Sequence, residues 1–148
     1  LSPKANRTVP PLRYDIVAML QQDFPEANFT LNGGIADIEQ VKNLYNKFNS
    51  LMLGRIVEKN PLILSKIEQN IFGINHCLYS RAEIIFKYII YVKLNMSNKN
   101  SHVFLIKPLI GMYYGTRYSK AWSKLVVSCF QDSQKIDDLL LFASQADC

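Results

Sequence analysis

The sequence predicts an α/β fold that passes into an all-helical region, and three observations carry that expectation. Two short apolar runs, residues 29–32 and 50–53, are each flanked by stretches with apolar side chains at helical spacing. Each run is closed by glycine, at Gly33 and Gly34 and again at Gly54. Beyond Gly73 the pattern is helical to the end of the 148 residues.

The elements follow in order. Pro3, Pro10 and Pro11 exclude a regular helix from the first dozen residues. Ile16, Val17, Met19, Leu20 and Phe24 form a helical stripe that Pro25 terminates. Residues 29–32 then read as a strand, and Asp37 opens a helix with Ile38, Val41, Leu44 and Tyr45 on one face. Residues 50–53 are the second strand. Asn60 and Pro61 have the pattern of an N-cap followed by a first-turn proline, which predicts a helix starting there. Ser80 and Glu83 form a capping box for a helix reaching about Leu94. Residues 96–101 read as a polar loop, and residues 103–114 as a helix in which Pro108 either makes a kink or occupies the first turn. Further helices are predicted over 119–130, around Trp122, and from Asp132 onward, where Asp132, Asp137 and Asp138 suit a helix start.

Helix, strand, helix, strand, helix is the order of parallel strands joined by a crossover, with apolar strands buried on both faces. Two strands alone would leave both edges and both faces open. The expectation is therefore the C-terminal part of a larger α/β protein, completed by strands on its N-terminal side. The chain begins at Leu1 without an initiator methionine, which fits. Residues 1–73 are assigned to the strand–helix units and residues 74–148 to a helical domain.

Composition narrows the function. A hydrophobic content of 49%, spread along the chain, excludes a mostly disordered protein. Cys77, Cys129 and Cys148 share no metal-ligand spacing, and His76 and His102 are the two imidazoles, so no metal site is expected. No apolar run approaches the roughly 18–20 residues of a membrane span, and no signal peptide is recognisable, so a cytoplasmic protein without membrane contact is expected. Neither histidine has a catalytic partner in the sequence; His102 is read at a helix start with a structural or surface role.

Two patterns point to ligands. Glycines after both strands let a ligand approach the backbone, and the N–H groups of a following helix start favour an anion. Arg55, next to Gly54, adds a charge-assisted bond to phosphate, and Asn32 stands at the strand end. The second pattern is a charge desert. Between Glu83 and Asp132 there is no acidic residue, whereas Lys87, Lys93, Lys99, Lys107, Arg117, Lys120 and Lys124 give seven positive charges. Tyr88, Tyr91, Tyr113, Tyr114, Tyr118 and Trp122 are interleaved among them. Positive charge holds phosphates and aromatic faces stack on unpaired bases, so RNA is the expected partner. Apolar helix faces leave a protein partner as the alternative.

The blocks LSPKANRTVPPLRYD, DFPEANFTLNGGI and LMLGRIVEKNP, with LIKPLIGMYYGTRYSKAW in the tail, resemble the A-type tRNA-dihydrouridine synthases. The resemblance covers nearly the whole chain. It implies an FMN-binding β/α (TIM) barrel, here its C-terminal part, followed by a helical domain. It further implies NADPH-driven reduction of the C5–C6 double bond of uridines in the tRNA D-loop. By this resemblance Asn32, Gly33, Gly34, Gly54 and Arg55 hold the phosphate end of FMN, and Lys4 and Arg7 contact tRNA.

Lys120 and Ser123 fall where the family tends to have arginines. Lysine keeps the charge without the planar fork, and serine removes the charge. The family's proton-donating cysteine lies upstream of these blocks, and none of the three cysteines here has a matching context, so no catalytic residue is assigned. The chain is expected to be inactive alone, needing an N-terminal half of the barrel. The alternatives are a non-enzymatic remnant whose basic helical domain binds RNA or a partner protein, and one half of a split enzyme.

Overall fold

A computed structural model describes residues 11–74, 79–96 and 99–146. The chain divides into two compact units, Leu1–Gly54 and Arg55–Cys148.

In the first unit, α1 spans Tyr14–Asp23 and has Asp15 in its first turn, held by the Arg13 guanidinium through Nε and Nη2. The helix ends where the Phe24 N–H bonds the Leu20 carbonyl, one residue before Pro25. No residue of α1 is buried, and Ile16 and Met19 of its apolar stripe are exposed. β1 (Leu31–Asn32) pairs in parallel with β2 (Leu51–Met52), in the register Leu31 with Leu51 and Asn32 with Met52. Thr30 Oγ1 bonds Ser50 Oγ beside the Leu31 N–H to Ser50 carbonyl bond, so side chains reinforce the entry to the ladder. The crossover helix α2 (Ile38–Tyr45) is capped by the Asp37 carboxylate, which accepts from the Gln40 N–H. Leu31, Ile35, Val41 and Phe48 form the small buried set of this unit.

The second unit is helical: α3 (Arg55–Lys59), α4 (Ile63–Ile71), α5 (Arg81–Asn95) and α6 (Lys99–Ile106), then a 3-10 helix (Lys107–Tyr113), α7 (Ser119–Gln131), a 3-10 turn (Ser133–Lys135) and α8 (Ile136–Ala146). Its core is one cluster that includes Ile85, Ile89, Ile106, Tyr113, Trp122, Val126 and Leu139. Trp122 is fully buried and its indole N–H donates to the Leu109 carbonyl at 2.6 Å. The capping box at α5 forms in both directions: Glu83 N–H to Ser80 Oγ, and Ser80 N–H to Glu83 Oε2. Pro108 occupies the first turn of the 3-10 helix, and that turn lets the chain continue from α6 without a helix-interior proline.

Three sequence expectations change. Asn60 does not cap the helix that follows. Its N–H closes α3 on the Ile56 carbonyl, a 3-10-like turn through Pro61 and Leu62 intervenes, and α4 starts at Ile63. The five-residue helix α3 was not anticipated, because five residues are too few to show a period. Lys99–Ile106 is helical where a polar loop through residue 101 was expected, so His102 lies inside a helix rather than at its start. The compact units meet in sequence at Gly54, within the segment 1–73 that the sequence assigned to the strand–helix units. The cause is packing within the second unit: a Cβ on Gly111 would stand 2.6 Å from the Lys59 carbonyl and 2.9 Å from that of Glu58, so α3 and the 3-10 helix lie backbone to backbone.

Candidate functional site

The parallel register sets the site. With Asn32 opposite Met52, the segments leaving the two strands emerge at the same end of the sheet, one carrying Gly33 and Gly34 and the other Gly54. Gly33 and Gly34 have φ of +105° and +70°, a region that other residues enter only under strain. The Tyr14 hydroxyl donates to the Gly33 carbonyl at 2.6 Å. A Cβ on Gly34 would lie 2.3 Å from Leu12 Cδ1 and 2.9 Å from Tyr14 Oη, so one side of this glycine is closed. Among the described residues the Gly34 N–H meets no acceptor, and Asn32 and Gly34 are exposed.

The start of α2 is a different matter. Its N–H groups were expected to receive an anion; the Asp37 carboxylate takes the Gln40 N–H and puts a negative charge there, and Gln40 Oε1 accepts from the Ala36 N–H. A cavity of about 330 Å³ opens beside the turn, lined by Leu12, Tyr14, Gly34, Gln40, Asn43 and Leu44.

Gly54 behaves unlike the pair. Its φ is not positive and a Cβ there would meet nothing within 4 Å. Neither backbone conformation nor packing among the described residues requires glycine, which leaves room for a ligand to approach the backbone. Arg55 follows it in sequence, heads α3 and is exposed.

In the helical unit the charge desert sorts itself by partner. Lys93 pairs with Asp137, and Lys107 with Glu58 at 3.2 Å. Lys87 sits over the Tyr79 ring at 3.3 Å. Arg117, Lys120 and Lys124 are exposed and have no acidic partner among the described residues; Lys120 and Lys124, four apart on α7, share one face, and Arg117 lies in the turn before the helix. The core residues Trp122, Val126 and Cys129 take the opposite face. Ser123 is half-buried between the two.

The interleaved aromatics divide likewise. Tyr113 and Trp122 are fully buried and cannot stack on a base, whereas Tyr91 and Tyr114 are half exposed. Arg117 lies over the Tyr118 ring at 4.7 Å and bonds its hydroxyl.

With this geometry in place, similarity decides the family. A family model described as Dihydrouridine synthase (Dus) matches residues 2–146. The chain belongs to the dihydrouridine synthase family. The tRNA-dihydrouridine(20/20a) synthase of Pseudomonas syringae pv. tomato is 34% identical over 146 residues, which is 99% of this chain and 43% of that protein. The protein of the same name from Synechocystis is 32% identical over 99% of this chain and 44% of its own length. The one from Pseudomonas putida is 33% identical over 85% of this chain and 38% of its own length. The chain thus spans about two fifths of the relatives it matches.

Within this family member, Lys4, Arg7, His76, Cys77 and Cys148 lie outside the described residues. Cys129 is buried, its thiol donates to the Leu125 carbonyl at 3.3 Å, and burial pushes its pKa up, the reverse of an activated thiol. His102 is also buried, with Nε2 2.9 Å from the Phe130 carbonyl, a structural setting. Among the described residues no group of histidine, cysteine and carboxylate side chains is placed to hold a metal, and no helix is long and apolar enough to cross a membrane. Sequence reasoning missed Tyr14 and Leu12, because their contacts with the glycine turn are long-range and carry no periodic signal.

Proposed function

We propose that this chain contributes the cofactor-phosphate and RNA contacts of an FMN-dependent tRNA-dihydrouridine synthase, which reduces D-loop uridines with NADPH in the cytoplasm. In this reading the two strand–helix units are the C-terminal part of a β/α barrel, and the following helices form the tRNA-binding domain. The observation that carries it is the glycine turn at a parallel strand end, with Gly34 presenting an N–H that the described residues leave unpaired. The residues fit a phosphate monoester: Asn32, Gly33 and Gly34 follow the first strand, and Gly54 and Arg55 follow the second, offering backbone donors and one guanidinium. Bound FMN supplies hydride. The chain's own residues hold its phosphate, and none is assigned as proton donor, so the chain alone is inactive and acts with the rest of the barrel. Lys4, Arg7, Lys120 and Ser123 contact tRNA, and the exposed charges of Arg117, Lys120 and Lys124, with no acidic partner among the described residues, support phosphate-backbone binding there.

Two titrations test the reading. FMN binding, followed by flavin fluorescence, is expected to weaken about tenfold in Arg55→Ala, the loss of one charge-assisted bond. RNA binding is expected to fall steeply with salt, and Lys120→Ala or Lys124→Ala to reduce the log–log salt slope by about 1. No FMN affinity, with Arg55→Ala making no difference and salt-dependent RNA binding intact, would favour the non-enzymatic RNA-binding alternative. A salt-independent interaction would remove the RNA half of the proposal.

A further inference from the structure

We infer that Tyr14 is a positioning residue for the glycine turn, aiming the Gly34 N–H at a bound phosphate group; this rests on the cofactor-phosphate reading above. The Gly33 carbonyl and the Gly34 N–H belong to one planar trans peptide, in which C=O and N–H point in opposite directions. Fixing the carbonyl therefore fixes the donor. The Tyr14 hydroxyl does this by donating to the Gly33 carbonyl at 2.6 Å.

A peptide between two glycines flips at little steric cost, so this one needs an outside tether to hold a single orientation. Tyr14 is itself held, by its place at the head of α1 and by an edge contact of its ring with buried Phe48, centroids 6.4 Å apart. Leu12 closes the same side of the turn: a Cβ on Gly34 would overlap its Cδ1 at 2.3 Å. Tyr14 and Leu12 thus cover the side of the turn to which the carbonyl points, and the N–H is presented on the other.

The test compares FMN with riboflavin, which lacks the phosphate. The full chain carrying Tyr14→Phe keeps the ring and its contact with Phe48 and loses only the hydroxyl. FMN affinity should drop about fivefold, the worth of one neutral hydrogen bond, while riboflavin affinity stays as in the unmutated chain. A variant that weakens both flavins equally, or neither, overturns the inference, since a structural staple would affect both alike. An unmutated chain that does not prefer FMN over riboflavin overturns the cofactor-phosphate reading itself. If Tyr14→Phe lowers the unfolding midpoint, the 15N-labelled unmutated chain decides: the Gly34 amide resonance must move on FMN titration and stay still with riboflavin. A Gly34 resonance that FMN leaves in place, while other resonances shift, overturns the inference.

Discussion

The units Leu1–Gly54 and Arg55–Cys148 solve the burial problem differently. The helical unit gathers side chains from α5, α6, α7, α8 and the 3-10 helix into one cluster in which Tyr113, Trp122 and Leu139 are fully buried. Among its described residues the strand-containing unit buries Leu31, Ile35, Val41 and Phe48, and leaves Leu12, Ile16, Met19, Phe24 and Met52 exposed. Among the described residues its two-residue strands pair with each other alone. The helical unit thus carries its own stabilising core, whereas the unit with the glycine turn has far less apolar burial to hold it. The glycine turn thus lies in the unit with the smaller buried set among the described residues, and binding loops are commonly drawn from less tightly packed regions. Any ligand bound by the folded unit would add to its stability.

The largest expected effect breaks the comparison on the helical side. Trp122→Ala removes a fully buried ring packed against Tyr113 and Phe142, with centroids 4.8 and 5.5 Å away, and orphans the Leu109 carbonyl. The cost should be about 3–5 kcal/mol, read as a lower urea midpoint by far-UV circular dichroism. In hydrogen exchange, amides of α5, α7 and α8 should lose protection, while those of β1 and β2, weakly protected already, change least. Equal initial protection in both units would contradict the contrast drawn here.

A smaller effect is expected at the α3 contact. Gly111→Ala places a methyl against two backbone carbonyls and the Pro61 ring, at 2.6 to 2.9 Å, none of which is the end of a flexible side chain. Overpacking of this kind costs about 1–3 kcal/mol. If α3 belongs with the helical unit, urea unfolding should register that loss in the same transition that Trp122→Ala moves.

How much of this was readable in advance depends on whether the deciding contact is local. Asp37 at a helix opening, the Ser80 and Glu83 box and the glycines closing both strands are set within four residues and were legible, and Pro108 takes one of the two positions the sequence left open, the first turn. The role of Asn60 was local too, but two local uses competed: its N–H finishes α3, a helix too short to announce itself. The stripe of α1 was visible in the sequence, but whether it is covered is not a local property, and it is exposed. For the site, residue types at the turn were legible, as was the positive charge of α7. Asp37 was legible as the opening of α2, but that its carboxylate takes the Gln40 N–H at that helix start was not drawn from the sequence. Tyr14 reaches Gly33 across nineteen positions, beyond any pattern within one element.

The smallest effect sharpens the comparison through pH. Hydrogen bonds from the Ser80 backbone N–H and with the Ser80 side chain hold the Glu83 carboxyl below its usual range, against a weaker opposing effect of burial. A carboxyl with a lower pKa folded than unfolded binds fewer protons in the folded state, so its contribution is complete above the unfolded pKa. That contribution is lost as pH falls through the folded pKa. Ser80→Ala should cost about 1 kcal/mol at neutral pH, and Glu83→Gln should flatten the acid limb of a urea-midpoint profile between pH 5 and pH 2. Because the box heads α5, inside the helical unit, the flattening should appear in that unit's transition and leave the Gly34 amide unmoved. A Glu83→Gln profile parallel to that of the unmutated chain would mean that the box contributes no pH-dependent stability to the helical unit.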